Sequence, residues 1–296
     1  MKFLAYFGHL NIDVNIGVSS LPKPGEARGV TGLKEQFAGT AGNFAYVAHS
    51  LGLEFDLYSS VGGSTHVPYI EKFKELGIST EHVDIIPDAM GPICYIPSDG
   101  REQIAYMFQG PMNDWKPSVN FQYGTYKHIN IGTGPVKEYI KIIEREKSAD
   151  IIFDPGQEIW YTYSGETARY MVDHSHMLIM NRKEFEHLKE MTGLDEQDIN
   201  RTVEDVIVTE GAEGAVLIQN GKSLRIPGYK AENINDTIGA GDSFRAGLYA
   251  ALYRGVELKK AIKFGNITAA KAIENPISQF NLTYSAIYDV VSAIKV

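Results

Sequence analysis

The chain has 296 residues, of which 44% are hydrophobic, so it can bury one large core with a smaller element attached. Its formal net charge of -9 and its pI near 5.4 exclude a surface built to bind nucleic-acid backbones, because such binding needs clustered lysine and arginine. The single cysteine, Cys94, excludes an internal disulfide and is typical of a cytoplasmic protein. No stretch approaches the roughly 18 to 20 apolar residues of a membrane helix, and the N-terminal segment lacks a signal-peptide pattern, so we expect neither membrane insertion nor export.

Short apolar runs rich in β-forming residues alternate with segments of helical length. The predicted strands are residues 3–7, 55–61, 128–131, 150–153, 177–180, 206–209 and 215–218. The predicted helices are residues 42–51, 67–76, 136–146, 165–174, 182–191, 243–254, 258–273 and 286–294. This alternation predicts an α/β fold, doubly wound, with a mostly parallel sheet covered by helices on both faces.

Two regions interrupt the alternation. Residues 13–36 contain a turn with two prolines and a glycine between extended segments, and residues 91–109 read as a hairpin around Ser98, Asp99 and Gly100. Together they predict a small four-stranded β-sheet, which must lean on the main domain or on a second copy of the chain. We interpret it as a lid on a large domain formed by residues 1–12, 37–90 and 110–296.

One motif combines an anion-binding backbone with a carboxylate. Residues 236–244 place Gly239, Ala240 and Gly241 directly before an amphipathic helix, where bare amides and the positive end of the helix dipole favour an anion. Asp242 follows at once. A carboxylate repels phosphate but can accept a proton from an attacking hydroxyl group. The alternative is structural, with Asp242 as a helix cap and the glycines as a turn.

Further segments make the chain resemble the ribokinase (PfkB) carbohydrate kinase family. The run Gly239 to Asp242 looks like the C-terminal signature of that family. In the family's order along the chain, the other similar segments are residues 8–13, the N-terminal signature at residues 38–45, an Asn-x-x-Glu element at residues 181–184, and a nucleotide-contacting turn at residues 209–214.

The resemblance implies a ribokinase-like fold, ATP as phosphate donor, Mg²⁺, and a role for each matched residue. The implied catalytic group is Asp242 as the base, with the amides of Gly239, Ala240 and Gly241 as the anion hole. The implied acceptor-binding residues are Asp13, which would end the first strand segment, Gly39 and Asn43. The implied nucleotide contacts are Asn181, Thr209, Gly211 and Gly214. Glu184 is the implied metal residue, acting through water, although Asn181 and Glu184 also fit a helix-capping pattern.

Some segments depart from the family or from other nucleotide-binding motifs. Ile238 stands where many relatives have a threonine, and residues 274–279 lack the usual glycine-containing loop, which leaves a monovalent cation such as potassium doubtful. The residue five before Gly221 is Val216, so no P-loop is present, and Lys137 replaces the third glycine of a dinucleotide fingerprint.

Within the family, residues 153–157, 180–186 and 239–247 look most like the archaeal nucleoside kinases. A flat base needs an apolar platform, for which the lid offers Tyr95, Tyr106, Met107 and Phe108, and either Gln109 or Gln157 could bond its edge. We therefore predict a kinase acting on the primary (5') hydroxyl of a nucleoside. A ribokinase or other sugar kinase is the alternative, and a noncatalytic relative is a third. The family and the exposed edges of so small a sheet favour a homodimer through the lid, with a monomer as the alternative. The histidines, including His9, are predicted to be packing or surface residues.

Overall fold

The computed structural model describes residues 1–235 and 237–293, which contain two β-sheets and the helices packed around them. Asp236 of the motif and Ile294 of the predicted last helix lie outside the described residues. The strands are β1 (Lys2–Phe7), β2 (Asn11–Val18), β3 (Val30–Ala38), β4 (Asp56–Gly62), β5 (Val83–Ile86), β6 (Ile93–Ser98), β7 (Tyr106–Phe108), β8 (Tyr126–Ile131), β9 (Asp150–Phe153), β10 (Met177–Asn181), β11 (Asp205–Thr209), β12 (Ala215–Gln219) and β13 (Lys222–Ile226). The helices are α1 (Thr40–Ser50), α2 (Gly63–Leu76), α3 (Val136–Arg145), α4 (Gly165–Asp173), α5 (Arg182–Thr192), α6 (Glu196–Thr202), α7 (Ala240–Tyr253), α8 (Leu258–Ile273) and α9 (Tyr284–Ala293).

The large sheet has nine strands in the order β13-β12-β11-β10-β9-β8-β1-β4-β5. The strands from β11 to β5 pair in parallel, whereas β12 and β13 are antiparallel to their neighbours. The prediction that residues 215–218 form a parallel strand is therefore wrong. Only the short turn of residues 210–214 joins β11 to β12, and a parallel connection needs a crossover of about a dozen residues or more.

Helices cover both faces of this sheet, which confirms the doubly wound prediction. Successive residues of β1 point to opposite faces. The ring of Tyr6 stacks on Phe44 of α1, with ring centroids 3.7 Å apart, in one apolar cluster. The ring of Phe7 stacks on Tyr58 of β4, at 4.6 Å, in the other. None of the helices within residues 1–235 and 237–293 combines the length and apolar composition that crossing a bilayer requires.

The predicted small sheet is present, with strand order β3-β2-β6-β7. It includes a parallel pair, β2 with β6, beside two antiparallel pairs. Asp13 lies inside β2, opposite Cys94 of β6, so it does not end the first strand of the large sheet as predicted. That strand already ends at Phe7, and the chain crosses into the small sheet four residues later, at Asn11. We call this small sheet the lid; the division into two domains at the predicted boundaries stays a prediction.

Gly39 joins the lid strand β3 to α1 in a backbone conformation that a side chain would strain. Its φ is 92°, and a Cβ added there would lie 2.4 Å from the carbonyl oxygen of His9 and 2.5 Å from the amide nitrogen of Asn11. Both obstacles are backbone atoms of the segment that enters the lid. Only glycine fits this junction without moving one sheet relative to the other.

We expect Gly39→Ala to lower the free energy of unfolding by more than about 1 kcal/mol, because alanine is disfavoured at positive φ and meets backbone atoms. Urea unfolding followed by circular dichroism measures the change. Gly29→Ala is the matched control, since a Cβ at Gly29 meets no atom within 4 Å. Equal stability of the two variants would contradict this reading of the junction.

Candidate active site

A cavity of about 630 Å³ separates the lid from the large sheet. It lies at the carboxyl ends of the parallel strands, the edge at which open α/β sheets bind ligands. Asn11, Asp13 and Met107 line it from the lid, and the start of α7 lines it from the opposite side. A volume of this size suits a small molecule with several polar groups.

Most residues predicted to form the site line this one cavity, although they come from distant parts of the chain. The lining residues among the predictions are Asp13, Gly39, Asn43, Asn181, Glu184, Thr209, Gly239, Gly241 and Asp242. Ala240 is the first residue of α7 beside them. Gly211 and Gly214 lie in the turn between β11 and β12, outside the wall of the cavity that the described residues form.

The start of α7 leaves backbone donors available. Gly239 caps the helix with a left-handed φ of 76°, and among the described residues no side chain caps it. The first amides of an α-helix have no partners within the helix, and the helix dipole places partial positive charge there. A Cβ on Gly239 would lie 2.7 Å from the Cβ of Ser278, so the backbone packs closely at this point. The arrangement can bind an anionic group.

Asp242, in the first turn of α7, is buried and hydrogen-bonded at the cavity wall. Its Oδ2 accepts a hydrogen bond of 2.9 Å from Nδ2 of Asn43, whose Oδ1 accepts one of 2.9 Å from Ser278. Burial raises the pKa of Asp242 to about 6, against the opposing effects of Arg245 and the Asn43 bond, and the charge of Glu184 adds to the rise. Asp242 is therefore a carboxylate that can take up a proton near neutral pH.

Asn181 and Glu184 form a complete capping box at the start of α5. The Asn181 side chain accepts from the Glu184 amide at 2.9 Å, and Oε2 of Glu184 accepts from the Asn181 amide at 2.8 Å. The structural reading of this pair is thus confirmed, and both residues still line the cavity. Burial raises the pKa of Glu184, while the Asn181 amide and the charge of Arg245 oppose that rise.

The lid aromatics do not form the predicted platform. Cys94 of β6 pairs with Met107 of β7, and these side chains face the cavity. Tyr106 and Phe108 are 61% and 46% exposed and do not line it, as is also true of Tyr95. Strand alternation is the reason, because neighbours of a cavity-facing residue point to the opposite side of the sheet. Of the predicted platform, only Met107 reaches the cavity.

A polar network that the sequence prediction missed closes the junction between lid and large sheet. His9 is 2% exposed, and its Nδ1 lies 2.7 Å from Oγ1 of Thr133 while its Nε2 contacts Oε1 of Gln109. Nε2 of Gln109 donates to Oε1 of Glu158 at 2.8 Å, and the other oxygen of Glu158 accepts from the Gly134 amide at 2.5 Å. His9, Thr133 and Glu158 line the cavity, so the prediction of His9 as a plain packing residue was incomplete. Of the two predicted base contacts, Gln157 lines the cavity and Gln109 does not.

A buried ion pair behind Asp242 was also missed. Arg245 of α7 contacts both carboxylate oxygens of Asp154, which directly follows β9, and its Nη1 lies 3.5 Å from Oδ1 of Asp242. Burial raises the pKa of Asp154 to about 7, and Arg245 opposes that rise. The two residues are 91 positions apart in sequence. No spacing rule brings them together.

The residues could also hold the expected ligands. The uncapped start of α7 suits a phosphate group. Within the described part of the chain, no cluster of three or more His, Cys, Asp or Glu side chains could hold a metal by itself. Mg²⁺ usually keeps several waters and binds through one or two carboxylates together with phosphates, and the buried carboxylate of Glu184 fits such a partial site.

Comparison with known proteins places the whole chain in one family. Residues 1–283 match the family described as pfkB family carbohydrate kinase. The chain is 43% identical over 282 residues to a nucleoside kinase of Thermoplasma acidophilum, across 95% of this chain and 93% of that relative. The crystal structure of the Methanocaldococcus jannaschii nucleoside kinase, an archaeal member of the ribokinase family, has a TM-score of 0.89 and 27% identity, covering 99% of this chain and 98% of that one. The structure of Burkholderia thailandensis nucleoside kinase in complex with inosine has a TM-score of 0.89 and 25% identity, covering 98% and 97% of the two chains.

These matches confirm the ribokinase-like fold and the resemblance on which the site prediction was based. The chain belongs to the pfkB family of carbohydrate kinases.

Proposed function

We propose that this protein is an ATP-dependent kinase that transfers the γ-phosphoryl group to the 5'-hydroxyl of a nucleoside. The observation that carries the proposal is the position of Asp242, a buried carboxylate with a raised pKa beside uncapped helix amides in one cavity. The relatives support the substrate class. The matches to the nucleoside kinases of T. acidophilum and M. jannaschii extend over nearly the whole length of each chain. The B. thailandensis nucleoside kinase was solved in complex with inosine.

On the acceptor side, Asp13, Gly39 and Asn43 hold the nucleoside. Asp13 lies on the lid wall, and its two carboxylate oxygens can accept hydrogen bonds from the neighbouring hydroxyls of a ribose. The side-chain amide of Asn43 donates a hydrogen bond to Asp242 and also lines the cavity. It therefore fixes the orientation of Asp242, the general base, beside the acceptor. Gly39 allows the backbone to approach the ligand closely.

On the donor side, the amides of Gly239, Ala240 and Gly241 hold the transferring phosphoryl group. Asn181, Thr209, Gly211 and Gly214 contact ATP at the ends of β10 and β11. Glu184 would hold Mg²⁺ through water, and the ion would neutralise charge on the polyphosphate. These assignments rest on the family motifs and, except for Gly211 and Gly214, which lie outside the cavity wall, on the shared cavity.

Asp242 accepts the proton of the 5'-hydroxyl while that oxygen attacks the γ-phosphorus. A new phosphorus-oxygen bond forms to the nucleoside as the bond to the β-phosphate oxygen breaks, which releases ADP and leaves the proton on Asp242. The helix-start amides stabilise the charge on the transferring group. The lid side of the cavity excludes water, which would otherwise compete with the acceptor.

A panel of nucleosides, pentoses and hexoses with ATP and Mg²⁺, ranked by kcat/KM from ADP release, tests the substrate class. We expect the kcat/KM of the best nucleoside to exceed that of every free sugar, since the cavity has room for a nucleobase beside the ribose. A preference for ribose would favour the sugar-kinase alternative. ATP binding without turnover on any acceptor would favour a noncatalytic relative.

Substitution of Asp242 tests the mechanism. We expect Asp242→Asn to lower kcat by about 10² to 10⁴, with the nucleoside KM changed only a few-fold, because a general base acts on the chemical step. The wild-type kcat should fall as the pH drops below about 6, since protonation of Asp242 removes the base. Steady-state kinetics between pH 5 and 8 measure both effects. Wild-type kcat in the variant would contradict the proposal.

We further propose a cytoplasmic homodimer formed through the outer face of the lid. That face exposes apolar side chains: Leu33 is 67% exposed, and Tyr106 and Phe108 are 61% and 46% exposed. The pairing of β2 with β3 and of β6 with β7 places these side chains on the side away from the cavity. A sheet of four strands gains stability when a second copy covers such a face.

Light scattering of purified protein tests this assembly. We expect a dimer mass for the wild type and a monomer mass for Leu33→Asp, because a buried unpaired carboxylate would disfavour the interface. Val67→Asp is the matched control, since Val67 is an exposed apolar residue of α2 outside the lid. A monomeric wild type would contradict the proposal, as would dissociation of both variants.

A further inference from the structure

Arg245 is a buried arginine at the floor of the cavity. It is 9% exposed, lies on the first turns of α7 and lines the cavity beside Asp242. A buried guanidinium group needs charged or hydrogen-bonding partners, because its desolvation is otherwise very unfavourable. Its partners are two carboxylates, Asp154 and Asp242, and it contacts them unequally.

Asp154 holds the guanidinium group in a fixed orientation. Nη2 of Arg245 donates a hydrogen bond to Oδ1 of Asp154, and Nε lies within ion-pair distance of Oδ2 without a hydrogen bond to any described residue, so both carboxylate oxygens contact the guanidinium group. Asp154 is itself fixed, since its amide donates to the carbonyl oxygen of Ile131 at 2.9 Å, across the ends of β9 and β8. The remaining nitrogen, Nη1, is thereby directed at Oδ1 of Asp242, 3.5 Å away.

The other oxygen of Asp242 has a separate partner. Oδ2 accepts from Asn43 at 2.9 Å, so the carboxylate is held from both sides, by α1 and by its own helix. Space for this arrangement depends on Gly241, where an added Cβ would lie 2.9 Å from Nη1 of Arg245. The guanidinium group therefore lies directly behind the backbone that begins α7.

The charges around Asp242 are mostly negative or neutral. The titratable groups that act on it, or on which it acts, come from α7, from the ends of β1 and β9, and from α2 and α5: Arg245, Tyr6, Asp154, Tyr69 and Glu184. Asp13 lines the same cavity from the lid. Among these described groups, Arg245 is the cation. Without it, an ionised Asp242 would face other buried carboxylates with only the Asn43 side-chain amide and the positive end of α7 to offset them.

We propose that Arg245 is a positioning residue for the phosphoryl-transfer step: anchored by Asp154, its guanidinium group orients the Asp242 carboxylate and keeps it ionised beside the acceptor hydroxyl. The inference rests on the proposed function, in which Asp242 is the base. It adds a specific dependence, because the strength of that base is set by a residue one helical turn away and by an aspartate that directly follows β9. In this role Asp154 acts by anchoring Arg245.

Arg245→Gln is the direct test, with Arg245→Lys as the charge-conserving comparison. We expect Arg245→Gln to lower kcat by about 10- to 100-fold, because the variant loses part of the rate enhancement that a general base contributes. The nucleoside KM should stay within about threefold of the wild-type value. The acid limb of the kcat-pH profile should move up by on the order of one pH unit, because an adjacent arginine favours the ionised carboxylate. Arg245→Lys should keep the acid limb near its wild-type position and lose less activity.

Two further variants keep the test decisive. Asp154→Asn combined with Arg245→Gln removes both charges of the buried pair, so no unpaired carboxylate is left at position 154 if the single variant fails to fold. It should show a similar loss of kcat and an upward shift of the acid limb smaller than that of Arg245→Gln, because the negative charge of Asp154 is removed as well. Asp242→Asn combined with Arg245→Gln completes a double-mutant cycle. We expect Arg245→Gln to cause almost no further loss of kcat once Asp242 is replaced, since it acts through that residue.

The outcomes separate this inference from the proposed function. An active Asp242→Asn enzyme would overturn the base itself, whatever Arg245 does. An inactive Asp242→Asn enzyme, together with Arg245 variants whose acid limb stays in place and whose losses are additive in the cycle, would leave the proposed function intact and overturn the positioning role. An equal pH shift in the Lys and Gln variants would also overturn it.

Discussion

The arrangement of the cavity depends on one constraint, the burial of the Asp242 carboxylate beside the start of α7. In the proposed mechanism Asp242 acts next to a phosphoryl group and must be desolvated there, yet desolvation favours its protonated form. Its surroundings meet both requirements: the positive end of α7, the Asn43 amide at 2.9 Å and the Arg245 guanidinium at 3.5 Å offset the desolvation without removing it. The result is a carboxylate with a pKa of about 6, charged at neutral pH and still able to accept a proton.

The large sheet provides the rest of the site by topology. Parallel strands present their carboxyl ends at one edge, so Thr133, Asp154, Asn181 and Thr209, which end or follow four such strands, lie beside one another although they are far apart in sequence. The lid forms the other wall. Its contact with the large sheet at this edge is polar, through His9, Gln109 and Glu158.

Much of the fold could be predicted from the sequence because the central strands are buried on both faces and read as continuous apolar runs. The edge elements could not. β5 is mostly exposed, β13 is largely exposed on the other edge, and α6 is only 7 residues long, so none has a strong periodic pattern. The predicted direction of β12 was wrong because an apolar run does not distinguish a parallel strand from an antiparallel one.

The site divides in a similar way. Residues in local motifs, such as Gly239 to Asp242, could be predicted because backbone geometry and chemistry lie in one short segment. The pair Arg245 and Asp154 could not, since their contact depends on how α7 packs on the end of β9. The aromatic platform failed for a different reason: both faces of β6 and β7 carry apolar side chains, and the phase of the alternation cannot be read from composition alone. The cavity-facing pair Cys94 and Met107 became evident only from the pairing of the strands.

The most direct test of the central claim is a crystal structure of the protein with a nucleoside, ADP and a phosphoryl-mimicking anion such as aluminium fluoride. We expect the anion on the amides of Gly239 to Gly241, with the 5'-oxygen within hydrogen-bonding distance of the Asp242 carboxylate. An anion bound elsewhere in the cavity, or a 5'-oxygen directed away from Asp242, would contradict it.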